Sequence, residues 1–178
     1  MRLFVAIDIP AGVRENLGAL LDRLRPAAKL NWTTVERLHI TTKFIGEWPE
    51  DRIEEMKRLL HGMDAAGAFE IGITGLGWFP HSRNPRVLFA GVQGGEPLQA
   101  LAQATEQATH RLGIPLEERA YSPHLTLARV RDRVPLEALK RAIDALESTA
   151  FGTFRAQAFH LYLSSAGRYT KLAEFRLV

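Results

Sequence analysis

Two α+β lobes related by a pseudo-twofold axis, each a sheet covered by helices on one face, are predicted for this chain of 178 residues. Three observations lead there. A strand, helix, strand, helix, strand order occurs twice, prolines open the helices of each half at matching distances, and each half places one histidine at the same station of a strand. Hydrophobic residues make up 46% and charged residues 24%, the balance of a globular domain rather than of a disordered chain or a membrane protein.

The first half starts with a strand from Arg2 to Ile9, rich in β-branched and aromatic residues, and Pro10 suits the first turn of the helix that follows. In that helix Val13, Leu17, Leu20, Leu21 and Leu24 recur at helical spacing, and it ends near Pro26. An extended stretch from Leu38 to Ile45 comes next. Pro49, Glu50 and Asp51 then open a second helix, whose acidic start suits the positive helix end and whose apolar stripe is Ile53, Met56, Leu60 and Met63. Phe69 to Phe79 reads as a strand loosened by Gly72, Gly75 and Gly77, and His81-Ser82-Arg83-Asn84-Pro85 as a turn between the halves.

The second half repeats the order. Arg86 to Val92 is a strand; Pro97 opens a helix with Leu98, Leu101, Ala108 and Leu112 inward, and Gly113 stops it. Ser122 to Val130 is extended, Pro135 opens a helix with Leu136, Leu139, Ile143 and Leu146 inward, and the chain returns to strand from Phe151. The last two strands, Phe154 to Leu163 and Tyr169 to Val178, flank a turn at Ser165, Ala166 and Gly167. Pro10 precedes His39 by 29 residues and Pro97 precedes His124 by 27; Pro49 follows the first histidine by 10 and Pro135 the second by 11. We therefore expect a single bilobal domain over residues 1–178 with repeat halves of approximately 1–82 and 83–178. Periodicity alone is equally compatible with one continuous sheet.

Charge says little about partners. Twenty-three Lys and Arg against 20 Asp and Glu give +3, too small an excess to create a dominant nucleic-acid field. Eighteen of the 23 cations are arginine, whose planar fork matches phosphate oxygens in two-point contact, although biased codon usage explains the excess as readily. The absence of cysteine excludes disulfides, thiolate metal sites and a cysteine nucleophile. The apolar run Leu3 to Ile7 is too short for a signal peptide or a membrane span, so a cytoplasmic location with no membrane partner is expected.

The first repeated station reads His39-Ile40-Thr41-Thr42 and the second His124-Leu125-Thr126-Leu127; chance gives fewer than one His-x-Thr triplet in this composition. Residues two apart on a strand share a face, so His39 pairs with Thr41 and His124 with Thr126. If the pseudo-twofold axis runs between the two strands, two imidazoles and two hydroxyls converge on one cleft. Two imidazoles can hold one proton between them near neutral pH, one as base and one as acid, which is what in-line displacement at phosphorus needs. Hydroxyls supply hydrogen bonds to the non-bridging oxygens. No His-x-x-x-His or His-Glu-x-x-His pattern occurs, so neither a metal nor another cofactor is expected.

At these residues the chain resembles the 2H phosphoesterases, named for two H-x-T-x motifs, and within them the RNA 2′,3′-cyclic phosphodiesterases, also called 2′–5′ RNA ligases. The resemblance extends over Arg2-Leu3-Phe4-Val5-Ala6-Ile7-Asp8, Leu38 to Gly46, Phe79-Pro80 with Pro85-Arg86-Val87, and Ser122 to Arg129. It implies antiparallel-type sheets in the 2H phosphoesterase fold, an active-site groove between the lobes, and metal-independent hydrolysis of RNA 3′ ends bearing a 2′,3′-cyclic phosphate to a 2′-phosphomonoester. Carried onto this sequence, His39 protonates the departing 3′ oxygen, His124 takes a proton from the attacking water, and Thr41 and Thr126 hold the phosphate. The reverse reaction, joining RNA ends through a 2′–5′ linkage, follows from microscopic reversibility. The last motif position is usually apolar; here Thr42 fills one of the two, and alternation turns it away from the cleft.

Lys43 shares the His39 face by alternation, where it either meets phosphate or remains a solvated rim lysine. Arg129 falls opposite His124 by strict alternation, and only a bulge or strand end turns it inward toward an anion. Tyr121 and Phe79 are candidates for stacking on bases, with core packing the plainer reading of Phe79. His61, His81, His110 and His160 fall outside the repeat and receive no function; Arg83 and Arg86 either widen a nucleic-acid track or belong to a solvated loop. No protein partner is indicated and a monomer is expected. The alternatives are a 2H phosphodiesterase acting on a small cyclic nucleotide and a non-catalytic RNA-end binding module.

Overall fold

The chain passes back and forth between two antiparallel sheets instead of finishing one before starting the other. In the computed structural model, which describes residues 1–65 and 67–178, the strands are β1 (Arg2–Asp8), β2 (Asn31–Trp32), β3 (His39–Glu47), β4 (Phe69–Phe79), β5 (Val87–Gln93), β6 (His124–Arg129), β7 (Ala150–Ala156), β8 (Ala158–Ser165) and β9 (Arg168–Arg176). The helices are α1 (Ala11–Leu24), α2 (Ile53–His61), α3 (Gly95–His110) and α4 (Glu137–Asp144). One sheet has the order β3-β1-β8-β9 and the other β2-β6-β5-β4-β7. The separate sheets rule out the single continuous one.

Neither sheet is drawn from one half of the sequence. β4 leaves the first half to pair with β5, while β8 and β9 leave the second half to extend the sheet begun by β1. The first helix of each half crosses over too: α1 packs against β7 and α3 against β3. The buried side chains consequently form one continuous cluster rather than two separate cores.

Local expectations hold where the apolar period is strong. The α1 stripe of Val13, Leu17, Leu20, Leu21 and Leu24 is buried as a unit, and the helix gives way to a short 3-10 turn at Arg25–Ala27 where Pro26 sits. Gly113 takes a φ of 91° just beyond α3, the conformation that glycine adopts at least cost. Leu3, Val5 and Ile7 of β1 join the core on one face, while Phe4 and Ala6 are buried on the other, as a central strand covered on both sides requires.

Several details differ from expectation. The stretch Phe154 to Leu163 is not one strand: β7 ends at Ala156 and β8 begins at Ala158, because the chain changes sheets at Gln157. α2 ends at His61, leaving Met63 beyond it, and is preceded by a 3-10 turn at Glu50–Arg52. The two-residue β2, too short to show a period, pairs with Arg129 and Ala128 at the edge of the second sheet. Among the described residues no helix is long and apolar enough to cross a membrane.

Candidate active site

β3 and β6 approach each other across the join between the sheets, and each carries a His-x-Thr triplet at its start. His39, Thr41, His124 and Thr126 line one cleft of about 690 Å³. Within each triplet the central residue, Ile40 or Leu125, is fully buried on the opposite face, so core packing holds the strand while the polar pair faces the cleft.

The two imidazoles are held alike. His39 Nδ1 lies 2.6 Å from the Arg37 carbonyl oxygen and His124 Nδ1 lies 2.9 Å from that of Ser122, in each case two residues earlier in the chain. A carbonyl only accepts, so each Nδ1 carries its proton, and in the neutral ring Nε2 keeps its lone pair. His39 Nε2 is 2.9 Å from Thr41 Oγ1, whose hydroxyl donates to it. Stacked aromatics support both rings: His39 lies 4.9 Å from Phe4, itself stacked on Tyr162, and His124 lies 5.0 Å from Phe79, itself stacked on Phe89. Gly77 belongs to this packing, because a Cβ there would meet the Phe89 ring at 2.4 Å.

The surroundings of His39 shift its titration. Burial pushes the His39 pKa below the ordinary imidazole value, the charges of Arg37 and Arg129 push the same way, and the Arg37 carbonyl and Asp8 act against them. Asp8 faces His39 directly in the β1–β3 register. Burial would raise its carboxyl, but hydrogen bonds from Lys171 and Tyr162, with the charges of His160 and Lys171, hold it below the usual carboxylate value. The Lys171 ammonium donates to Asp8 Oδ2 at 2.6 Å and the Tyr162 hydroxyl to Oδ1. Asp8, Phe4, Arg37 and Tyr169 surround His39 and were not singled out by sequence; the β1 alternation, with Phe4, Ala6 and Asp8 opposite Leu3, Val5 and Ile7, contained the signal for two of them.

The remaining candidates depend on two β-bulges. Phe4 pairs with Phe44, Val5 with Lys43 and Ala6 with Thr41, so Thr42 is an extra residue in β3; Leu88 pairs with Ala128 and Phe89 with Thr126, so Leu127 is the corresponding extra residue in β6. Each bulge reverses the faces beyond it. Lys43 is therefore not on the His39 face as alternation predicts. It is 3% exposed and its Nζ pairs with Glu106 Oε1 at 3.1 Å and Glu117 Oε1 at 3.2 Å. Arg129 is turned into the cleft by the matching bulge, and Phe44, its counterpart on β3, is left 60% exposed at the cleft wall. Thr42 is buried, and its hydroxyl donates to the Val5 carbonyl at 3.2 Å, which satisfies a polar group at an apolar position.

A second hollow of about 720 Å³ shares Thr41, Phe44 and His124 with the cleft and continues past Phe79, Pro80 and Tyr121. The Tyr121 hydroxyl donates to the Thr41 carbonyl at 2.8 Å, tying the approach to β6 onto β3, and burial raises its pKa. Arg86 also lines this hollow, whereas Arg83 lines neither cavity. Among the described residues no group of three or more His, Cys, Asp or Glu is clustered as metal ligands are.

Known proteins resemble this chain over nearly its whole length. The chain is 31% identical to an RNA 2′,3′-cyclic phosphodiesterase of Methanothermobacter thermautotrophicus over 99% of both chains. A crystal structure of a Thermus thermophilus protein superposes with a TM-score of 0.80 at 30% identity, covering 99% of this chain and 98% of that one. E. coli LigT, in a structure complexed with 3′-AMP, superposes with a TM-score of 0.75 at 25% identity, covering 99% and 97%. With two antiparallel sheets, paired His-x-Thr strands meeting at one cleft, and a family model matching residues 13–168, the chain belongs to the 2'-5' RNA ligase superfamily.

Proposed function

We propose that this protein hydrolyses RNA ends bearing a 2′,3′-cyclic phosphate to 2′-phosphomonoesters, with two histidines as acid and base and without a metal ion. One observation carries the reading: both motif imidazoles commit Nδ1 to a carbonyl of their own chain and line the same cleft, with His39 Nε2 held by the Thr41 hydroxyl until substrate replaces it. Water attacks phosphorus as His124 Nε2 takes its proton; the bond from phosphorus to O3′ breaks, its electron pair goes to O3′, and a protonated His39 Nε2 delivers the proton there. Thr41 and Thr126 donate to the non-bridging oxygens, where charge builds in the transition state.

The low pKa of His39 in the free protein fits this role once substrate is considered. Burial disfavours the imidazolium, and Arg37 and Arg129 add to the effect. A bound phosphodiester brings a negative charge that favours the proton on His39, so the acid is loaded together with its substrate. Running backwards, a 5′-hydroxyl replaces water as nucleophile and forms a 2′–5′ linkage.

The names of the relatives support the choice of RNA cyclic phosphate over other phosphodiesters. The decisive experiment incubates the protein with a short RNA ending in a 2′,3′-cyclic phosphate and resolves the 2′- from the 3′-phosphate product, with and without EDTA. The expected result is the 2′-phosphate at an EDTA-independent rate. A 3′-phosphate product or a requirement for added divalent metal overturns the mechanism.

A further inference from the structure

Among the described residues that line the cleft, four are arginines, Arg2, Arg37, Arg129 and Arg131, and none is Asp or Glu. A histidine that has to hold a proton in such a place is opposed by its surroundings. Burial and the charges of Arg37 and Arg129 act against the imidazolium of His39, and Tyr169 of β9 meets the ring edge-on at 5.2 Å without adding a charge. What the acid lacks inside the cleft is an anion, and an anion inside the cleft would repel a phosphodiester. Asp8 meets both conditions. It pairs with His39 in the β1–β3 register, yet it does not line the cleft.

The carboxylate is fixed by groups from two further strands. Asp8 closes β1, its Oδ1 accepts from the Tyr162 hydroxyl of β8, and its Oδ2 accepts from the Lys171 ammonium of β9 at 2.6 Å. The Tyr162 ring is also stacked on Phe4, the ring that supports His39, so one side chain belongs both to the packing of the imidazole and to the anchoring of the carboxylate. On the far side, buried His160 has Nδ1 3.6 Å from Asp8 Oδ1 without a hydrogen-bond partner, and its Nε2 lies 3.5 Å from Glu174. Arg14 of α1 adds a positive charge near Tyr162. With Lys171 and Tyr162 donating to it, Asp8 stays ionised.

We propose that Asp8 is a positioning residue for the acid step: a carboxylate, fixed behind His39 by Tyr162 and Lys171, that keeps the proton on the imidazole until the departing O3′ takes it. Asp8 neither gives nor takes a proton and touches no substrate; it acts through His39. This rests on the cyclic phosphodiesterase reading, in which His39 is the acid, and adds to it the group that keeps that acid charged. An anion beside an imidazole favours the cationic ring, and a cation paired with that anion weakens the effect. Two substitutions therefore act with opposite signs. Asp8→Asn removes the anion and should lower the His39 pKa by about 0.5–1 unit, whereas Lys171→Gln leaves the anion unneutralised and should raise it.

The test follows the His39 ring by NMR titration in the native protein, Asp8→Asn and Lys171→Gln, its signal assigned by its loss in His39→Gln. Alongside run the pH profiles of kcat/KM for a short RNA ending in a 2′,3′-cyclic phosphate, and urea midpoints. Asp8→Asn should lower the plateau of kcat/KM by about three- to tenfold, the same 0.5–1 unit read as a smaller share of protonated acid, and should move the His39 limb to lower pH. Lys171→Gln should move that limb to higher pH. A merely structural role would lower the urea midpoint without driving the two titrations apart, and that result overturns the proposal. So does a His39 pKa that is the same in all three proteins, or native kcat/KM in Asp8→Asn. Should Asp8→Asn fail to fold, Lys171→Gln decides alone: a raised His39 pKa supports the proposal, and an unchanged or lowered one overturns it. If the native protein does not turn over the RNA, the cyclic phosphodiesterase reading fails, while the ring titration still decides whether Asp8 governs the charge on His39.

Discussion

His39 and His124 share a tautomer-setting contact with a carbonyl of their own chain, and the proposed mechanism makes one the acid and the other the base. Replacing either by alanine is expected to lower turnover of the cyclic phosphate by about 10² to 10⁴ with little change in the melting temperature; a variant that keeps near-native activity loses its assigned role. The pH profile distinguishes them further. Burial lowers the free-enzyme pKa of His39, so one limb of the kcat/KM profile should lie below the ordinary imidazole value. In kcat, where the bound anion stabilises the imidazolium, that limb should move to higher pH. A limb at the same pH in both profiles would remove His39 as the acid. Thr41→Val and Thr126→Val should weaken both binding and rate, since each deletes a donor at the cleft while keeping the β-branched shape.

At the scale of the element, the bulges at Thr42 and Leu127 decide which side chains face the cleft. Beyond them the two strands diverge in chemistry: β3 buries Lys43 and presents Phe44, while β6 buries Ala128 and presents Arg129. The buried ammonium of Lys43 is held against α3 by Glu106 and reaches Glu117 and the Pro115 carbonyl as well. Its place is to lock α3 onto the outer face of β3. Removing one buried partner leaves a charge poorly compensated, so Glu106→Gln should destabilise the fold by roughly 1–3 kcal/mol, measured as a lower urea midpoint. An unchanged midpoint with altered KM would instead assign this trio to substrate.

Over the whole molecule, the interleaved sheets bring titratable groups from both ends of the chain together behind the site. His160 on β8 is 5% exposed, with Asp8, Lys171 and Glu174 around it, and burial holds its pKa down, as it does that of His39. A histidine whose folded pKa is depressed takes up its proton first in the unfolded chain. Stability should therefore decline as pH drops through the ordinary imidazole value near 6.5 and continue to fall until the folded pKa values are passed. Asp8 acts in a lower window: its stabilising contribution is complete above the unfolded carboxylate value and disappears as pH falls through its lowered folded pKa. Urea midpoints at pH 7.5, 6.0 and 5.0 should decrease in that order; a flat profile would mean that these imidazoles titrate alike in both states.

Most of the elements and the two motifs were legible because they depend on local patterns. A helical stripe such as Val13 to Leu24, or a strand such as Phe69 to Phe79, is specified by its own residues and needs no partner to be recognised. The directions of Lys43 and Arg129 were not legible, since a bulge is a mismatch in count between two paired strands and exists only once β3 meets β1 and β6 meets β5. The same holds for the split of the stretch around Gln157 and for the cleft, whose lining is drawn from residues between 2 and 169 of the chain. By itself the sequence determined most of the strands and helices and where the paired His-x-Thr triplets fall in them. Only tertiary pairing decided which way those residues face, because register between distant strands is set by how the shared core closes.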